Sequence, residues 1–372
     1  MSSKEDFLHL SLQFLHGSGL GPTSSKFRKI VSLGVLLPIA LIVDFCVIYD
    51  YFHIQNDILE IAELMESTSS FGQLLARKFV LATHVKIIRR MLQRRNQFWN
   101  YDAFGENFAF YLRAKIILAT RVIKVMWILS TILGTLLCFS FVVDDEKIVP
   151  LESWKPDDKY LCFALYIMQS LAIIEILYLV GAVDAFYVLM CVEIEIQLKL
   201  VRKKIEFVRV GFKSGRWCLK ELIVCTKHHN LLLRVHGDLN QVFSEYFLLQ
   251  NGLTVLAGSV QLYVLMYMTV TFQDMLKCVL YLSALFFQVG MFFMPASDIE
   301  EEAEKLALEI YNVNWELSGD GKIRKQLLFM LMRAQEPLRM MGGGMVYINR
   351  SEYVVLFRLA FSISTLLGGM NK

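Results

Sequence analysis

Three observations predict an all-α membrane protein of seven transmembrane helices. Hydrophobic residues make up 55% of the 372-residue sequence and charged residues only 20%, with a mean hydropathy of +0.47, a balance foreign to soluble globular chains. Apolar runs long enough to cross about 30 Å of hydrocarbon recur along the chain. Between them, Lys and Arg gather in every second connecting segment. By the positive-inside rule this alternation puts the amino terminus in the cytoplasm and, after seven crossings, the carboxyl terminus outside. A G-protein-coupled receptor, whose seven spans start outside, has the opposite arrangement. The net charge of +3 is small, and membrane orientation accounts for the basic runs better than nucleic acid does.

Residues 1–29 form a cytoplasmic amino-terminal segment, in which Phe7 to Gly19 reads as a short, weakly amphipathic helix on the membrane surface. Lys26, Arg28 and Lys29 precede the first span, Ile30 to Tyr49. Pro38 and Asp44 interrupt it, as packed membrane helices allow. No cleavable signal peptide is expected, because this apolar run lies behind a polar segment and is long enough to stay as an anchor. Asp50, Asp57 and Glu60 make the next segment acidic. From Ile58 to Arg95 the composition is helical, yet only Ser67 to Ala76 is free of charge. Its first half is read as partly membrane-embedded and its second, crowded with Lys86, Arg89, Arg90, Arg94 and Arg95, as cytoplasmic. Val125 to Val143 is uncharged and makes the third span.

Asp144 to Lys159 carries six acids against three lysines, as an outside loop should. The fourth helix runs from Tyr160 to about Val192, closing a transmembrane region over 30–192, and continues as a charged extension to Phe207. Residues 193–245 are read as a cytoplasmic anchor extension. The fifth and sixth spans occupy 246–297: Tyr246 to Phe272 is uncharged, and a tight outside turn at Gln273-Asp274 leads into Met275 to Ser297. Residues 298–341 hold further cytoplasmic helices. The first carries Tyr311 and Trp315, spaced i,i+4 on one face, and another ends near Pro337. In 342–372, Gly342, Gly343 and Gly344 supply the unusual φ angles of a short crossing, and Ser351 with Glu352 opens the last helix as N-cap and acidic first turn. From Val354 to Met370 its only charge is Arg358.

Nothing resembles a catalytic constellation. The seven cysteines are scattered singly, without CxxC or a His/Cys cluster, so neither a disulfide framework nor a metal site is expected. His228, His229 and His236 share a helix with Lys227 and Arg234 and read as cytoplasmic surface or helix packing. The glycine run at 342–344 lacks the Lys-Ser/Thr of a phosphate loop. Two intramembrane acids, Glu175 and Asp184, either pair with neighbouring helices or line a watery cavity. Arg358 can snorkel to the cytoplasmic interface. On the last helix Ser362, Leu366 and Met370 recur at i,i+4, with Leu359 expected on the opposite side. Such a stripe suits a pore that closes by dewetting, and equally suits helix packing.

Several separate patterns resemble insect odorant receptors. In the tail they are Arg333, Gln335, Pro337 and Leu338, Gly343, and then Phe361-Ser362 with Leu366-Leu367, where the family commonly has Tyr in place of Phe361. Upstream they are Pro150, Trp154 and Pro156, then Gln169 and Ala182-Val183-Asp184. They continue with His229, Leu232, Leu239-Asn240, Val242-Phe243-Ser244 and the Tyr311–Trp315 pair. The resemblance implies a cation channel opened by a small volatile ligand, with no cofactor. It implies a hetero-oligomer, a tetramer with the family's co-receptor, in the plasma membrane of sensory neurons. Phe207 to Lys220 is too short for the co-receptor's long insertion, so the ligand-tuned kind is implied. The last helix would line the pore with Ser362, Leu366 and Met370, and Tyr311 and Trp315 would lie in the subunit anchor. Ligand would meet Phe71, Thr131, Gly134, Cys138, Met168, Cys278, Tyr281 and Leu282, a mixture that suits a compact, weakly polar molecule. A gustatory receptor is the nearer rival, but Leu359-Ala360 stands where its Gln-Phe belongs. A transporter is the more distant one, and no internal repeat supports it.

The charge alternation generates a direct test. A tag after Lys372 should be reached by antibody on intact cells and one before Ser2 only after permeabilisation; the reverse labelling would overturn the orientation.

Overall fold

The computed structural model describes residues 8–53, 58–139, 149–208, 214–317 and 320–370. Its helices are α1 (His9–Gly17), α2 (Lys26–Asp50), α3 (Ile58–Arg95), α4 (Glu106–Cys138), α5 (Lys159–Val208), α6 (Gly215–Tyr267), α7 (Phe272–Tyr311), α8 (Gly321–Ala334) and α9 (Arg350–Met370). Six of them, α2, α4, α5, α6, α7 and α9, are long and apolar enough to cross a membrane. Of the seven expected spans, the second, α3, is not among them, because its charges lower its hydropathy. The 53 residues of α6 rise about 80 Å, far more than a bilayer needs, so α3, α5, α6 and α7 each run beyond it into the shared extension.

Two helices carry a π-helical turn. In α2 it covers Ser32–Leu36, just ahead of Pro38, where a residue without an N–H cannot close the regular ladder. In α5 it covers Val180–Asp184, all five residues buried. Centrally placed α6 packs against α3, α5, α7, α8 and α9. Its contact with α9 relies on small residues: a Cβ on Gly368 would come 2.5 Å from the Tyr267 ring, and one on Gly258 would touch Ala360.

Several expectations change. The amino-terminal helix does not lie on the membrane surface. Leu8, just ahead of α1, and Leu15 within it are buried, Ser11 Oγ donates to the Ala182 carbonyl at 3.1 Å, and Phe14 packs on Trp127 and Tyr178. Aromatic and hydroxyl groups matched to the α5 π turn draw it into the bundle. The turn between α6 and α7 spans residues 268–271, and Gln273 and Asp274 already belong to α7, which Thr271 caps by accepting from the Asp274 N–H. The helix bearing Tyr311 ends there: Asn314 takes φ 58° and Trp315 starts a separate 3-10 turn, so the two aromatics do not share a helical face. The helix before Pro337 stops at Ala334. At the last crossing, Met341–Gly342 and Val346–Tyr347 pair as a two-stranded hairpin whose turn uses positive φ at Gly343 (59°) and Gly344 (69°). The cap of α9 is Asn349, whose Oδ1 accepts from the Glu352 N–H at 3.0 Å and from the Ser351 hydroxyl. Parts of the acidic segments after the first and third spans, the basic linker at 209–213, and both chain ends lie outside the described residues.

Interhelical ion pairs knit the extension. Asp238 of α6 takes both Arg90 and Arg94 of α3, Glu193 takes Arg95, Glu302 takes Arg202, and Asp298 meets Lys115 and Arg350. The three histidines are interior: His228 stacks on Trp99 at 4.1 Å and shares a 2.8 Å hydrogen bond with Gln197. Burial depresses His228, with His229 and Lys204 adding repulsion, and burial alone depresses His229 and His236; each pKa falls to about 4. Groups held neutral in the fold but titrating near 6.5 when unfolded contribute stability above that pH and lose it as pH falls toward 4. The melting temperature of purified protein should therefore be flat from pH 8 to 7 and drop between 6.5 and 4. His229→Leu with His236→Leu should shrink that drop; an unaltered profile would show that other groups set it.

Candidate ligand pocket, buried ion pair and pore face

The membrane part is organised by charges the hydropathy pattern discourages. Arg77 of α3 and Asp184 of α5 are fully buried and form a two-point pair, Nη2 to Oδ2 at 2.7 Å and Nε to Oδ1 at 3.0 Å. Tyr246 Oη donates to Asp184 Oδ1 at 3.4 Å and Gln288 Nε2 to Oδ2 at 3.2 Å, while Gln73 Oε1 accepts from Arg77. The guanidinium also lies 5.5 Å from the Tyr246 ring centroid. Next to it, Lys78 pairs with Glu175 at 2.8 Å and reaches the Ser32 carbonyl in the π turn of α2. The two acids thus pair with neighbouring helices. Nine α-helical steps would leave Glu175 and Asp184 half a turn apart. The π turn inserts one extra residue, which swings both toward the adjacent cations of α3.

The expected pocket residues fall into two groups. Thr131, Gly134 and Cys138 lie on the α4 side of the seam with α5, which also carries half-buried Met168. A Cβ on Gly134 would meet Leu177 at 2.7 Å and Ile173 at 3.2 Å, so this glycine permits close approach of the helices. Thr131 donates to the Trp127 carbonyl, and the Cys138 carbonyl accepts from Tyr166 Oη at 2.8 Å. Phe71, Cys278 and Leu282 are buried on α3 and α7, and the Tyr281 hydroxyl lies beside the Ser69 side chain. On the extension, α6 and α8 border a groove of about 800 Å³ that includes His229, Arg234, Phe329 and Arg333.

The last helix is two-sided. Leu356, Ala360, Ser364 and Gly368 are buried, whereas Leu366 is 64% and Met370 76% exposed, with Ser362 on the same side. Leu359 is not opposite Leu366. It is 49% exposed and seven residues away, hence on the same face. Arg358 is also exposed. Tyr311 and Trp315 are exposed on the extension.

Sequence reading missed Arg77 and Lys78 as partners of the acids, and passed over Tyr246, Gln250, Thr254 and Gln261. The last four recur on one side of an uncharged run, a helical spacing that was available as a signal.

The described residues form a multi-pass helical bundle with a two-sided last helix and an aromatic-rich interior. This chain belongs to the 7tm odorant receptor family, whose profile matches residues 71–361, a family of receptors and not of enzymes. Odorant receptor 23a of Drosophila melanogaster is 22% identical over 66% of this chain and 66% of its own length. Odorant receptor 22b of the same fly is 25% identical over 41% of this chain and 38% of its own. The chain thus spans about two-fifths to two-thirds of these curated relatives. The fold is that of the insect olfactory receptor OR5 of Machilis hrabei, solved in complex with eugenol, with a TM-score of 0.79, 19% identity and coverage of 98% of this chain and 100% of that one.

The ion pair generates the next test. Asp184→Leu strands a buried guanidinium and should cost about 3–5 kcal/mol, seen as lost surface expression and a lower melting temperature. Combining it with Arg77→Met should restore much of the loss. Equal damage from the single and double variants would mean that the pair itself does not set the cost.

Proposed function

We propose that this chain is the ligand-tuned subunit of an odorant-gated cation channel in the plasma membrane of sensory neurons, its amino terminus inside. A small volatile compound binds in the outer half of the bundle, near Tyr281 and Phe71 on one side and Gly134 and Met168 on the other. The pore is shared with the family's co-receptor in a hetero-tetramer, and Tyr311 and Trp315, exposed on the extension, take part in the subunit anchor. Family membership supports this reading, and the solved insect receptor bound to eugenol, a small aromatic, is consistent with it.

The observation that carries the channel reading is the two-sidedness of α9. Its small residues pack inward on α6, so the face bearing Ser362, Leu366 and Met370 is left exposed among the described residues. A polar-then-apolar face of this kind, arranged around an axis with those of other subunits, excludes water from a narrow neck until the helices part.

Leu366→Ser should wet that neck. Co-expressed with a co-receptor, the variant should leak current without ligand and shift its reversal potential among cations, in a graded way because other subunits supply the remaining walls. Leu356→Ala, on the buried face, should lower expression and leave selectivity unchanged. Normal resting current and reversal potential in Leu366→Ser would mean that another helix lines the pore.

A further inference from the structure

The seam between α3 and α6 holds polar groups that the packing of the bundle does not use. The helices run antiparallel in a register fixed at three levels. Gln261 Nε2 donates to the Ala62 carbonyl and to Glu66, a Cβ on Gly72 would touch Leu253, and Tyr246 lies over Arg77. The same register sets Thr254 level with Ser69, and Gln250 level with Gln73. Gln250 is 1% exposed and Thr254 fully buried, yet neither polar atom of the Gln250 amide nor Thr254 Oγ1 has a partner among the described residues. Stranding such groups is unfavourable, and Leu and Val would fill the same space without that cost.

The orphans adjoin one wall of the proposed pocket: Ser69, level with Thr254, lies beside the Tyr281 hydroxyl. We propose that Thr254 and Gln250 are specificity-determining residues that hydrogen-bond a neutral oxygen of the ligand. The receptor therefore answers to compact alcohols, phenols or carbonyl compounds in preference to hydrocarbons of the same skeleton. An amide and a hydroxyl together offer donors and acceptors, so both hydroxyl and carbonyl oxygens are served. A charged ligand is disfavoured, because Arg77 and Asp184 satisfy each other and Glu66, one turn from Ser69, already accepts from Gln261. This inference rests on the receptor reading above and adds the chemical class of its ligand.

The experiment uses the full chain co-expressed with a co-receptor and matched probes: toluene, benzyl alcohol and benzaldehyde, and octane, 1-octanol and 2-octanone, within a broader panel of volatiles. Agonists should be oxygenated. Thr254→Val and Gln250→Met should each raise their half-effective concentration about tenfold, while Thr254→Ser stays near the starting value and residual hydrocarbon responses do not move. Surface labelling confirms that all variants reach the membrane. Unchanged responses to oxygenated agonists in both variants would overturn the proposal, as would agonists confined to hydrocarbons. Equal shifts for oxygenated and hydrocarbon probes would also overturn it, assigning the orphans to bound water. Silence to every volatile, with normal surface expression, would instead overturn the receptor reading and this inference with it.

Discussion

Asp184 accepts hydrogen bonds from Arg77 on α3, Tyr246 on α6 and Gln288 on α7, while its own helix is α5. A carboxylate in hydrocarbon is tolerable only with such a set of partners, so the four helices are bound to one relative arrangement by the cost of any other. The charges on α3 illustrate the point. They keep α3 from qualifying as a membrane span by composition, and they are also what fastens it into the bundle. Lys78 does the same toward Glu175 and the π turn of α2. Buried pairs of this kind are weak contributors to net stability but strong against alternatives: a slip of α3 by one residue would leave two cations and two acids unpaired.

From that fixed point the remaining contacts follow. With Tyr246 over Arg77, α6 and α3 are in register along their length. With α6 placed, the small residues of α9 have one surface to meet, and the bulkier apolar side chains of α9 are turned away from the subunit. The inward stripe is determined by steric fit, since Gly368 faces the Tyr267 ring and Ala360 faces Gly258. The outward stripe is whatever that fit leaves over, which is why the face proposed for the pore is defined by packing on the other side of the helix.

Much of this architecture was legible in the residues. Spans one, three, four, five, six and seven announce themselves as apolar runs, and glycines at the last crossing foretold backbone that only they adopt easily. What was not legible depended on partners distant in sequence. Whether α1 lies on the membrane or inside the bundle turns on Phe14 meeting Trp127 and Tyr178, more than a hundred residues away. That Glu175 and Asp184 face the same helix required a π turn, which period counting over ideal helices cannot supply. Tyr311 and Trp315 have the spacing of one helical face, but left-handed backbone at Asn314 intervenes, a conformation that side-chain spacing does not encode. Of the site, the outward stripe of the last helix was readable from its period, whereas the orphaned polar pair on α6 emerges only once α3 is laid beside it.

One helix ties these features together. Within ten residues α7 carries Tyr281 beside Ser69, Phe286 whose carbonyl accepts from Tyr353 of α9 at 3.1 Å, Gln288 on Asp184, and Gly290, where a Cβ would come 3.3 Å from the Tyr353 hydroxyl. Phe286 further stacks on Phe357 of α9 at 3.7 Å. These attachments span about 14 Å of helix rise, and a hydrogen-bonded helix moves over that length as one body. A displacement of α7 that repositions Tyr281 therefore shifts its contacts with Asp184 and with α9 together. Gln288 ties α7 to the charge network, while Tyr353 and Phe357 tie it to α9. On the proposed reading, a ligand seated against Tyr281 would act on the last helix through the contact where α9 leans on α7, with the buried pair as the fixed reference.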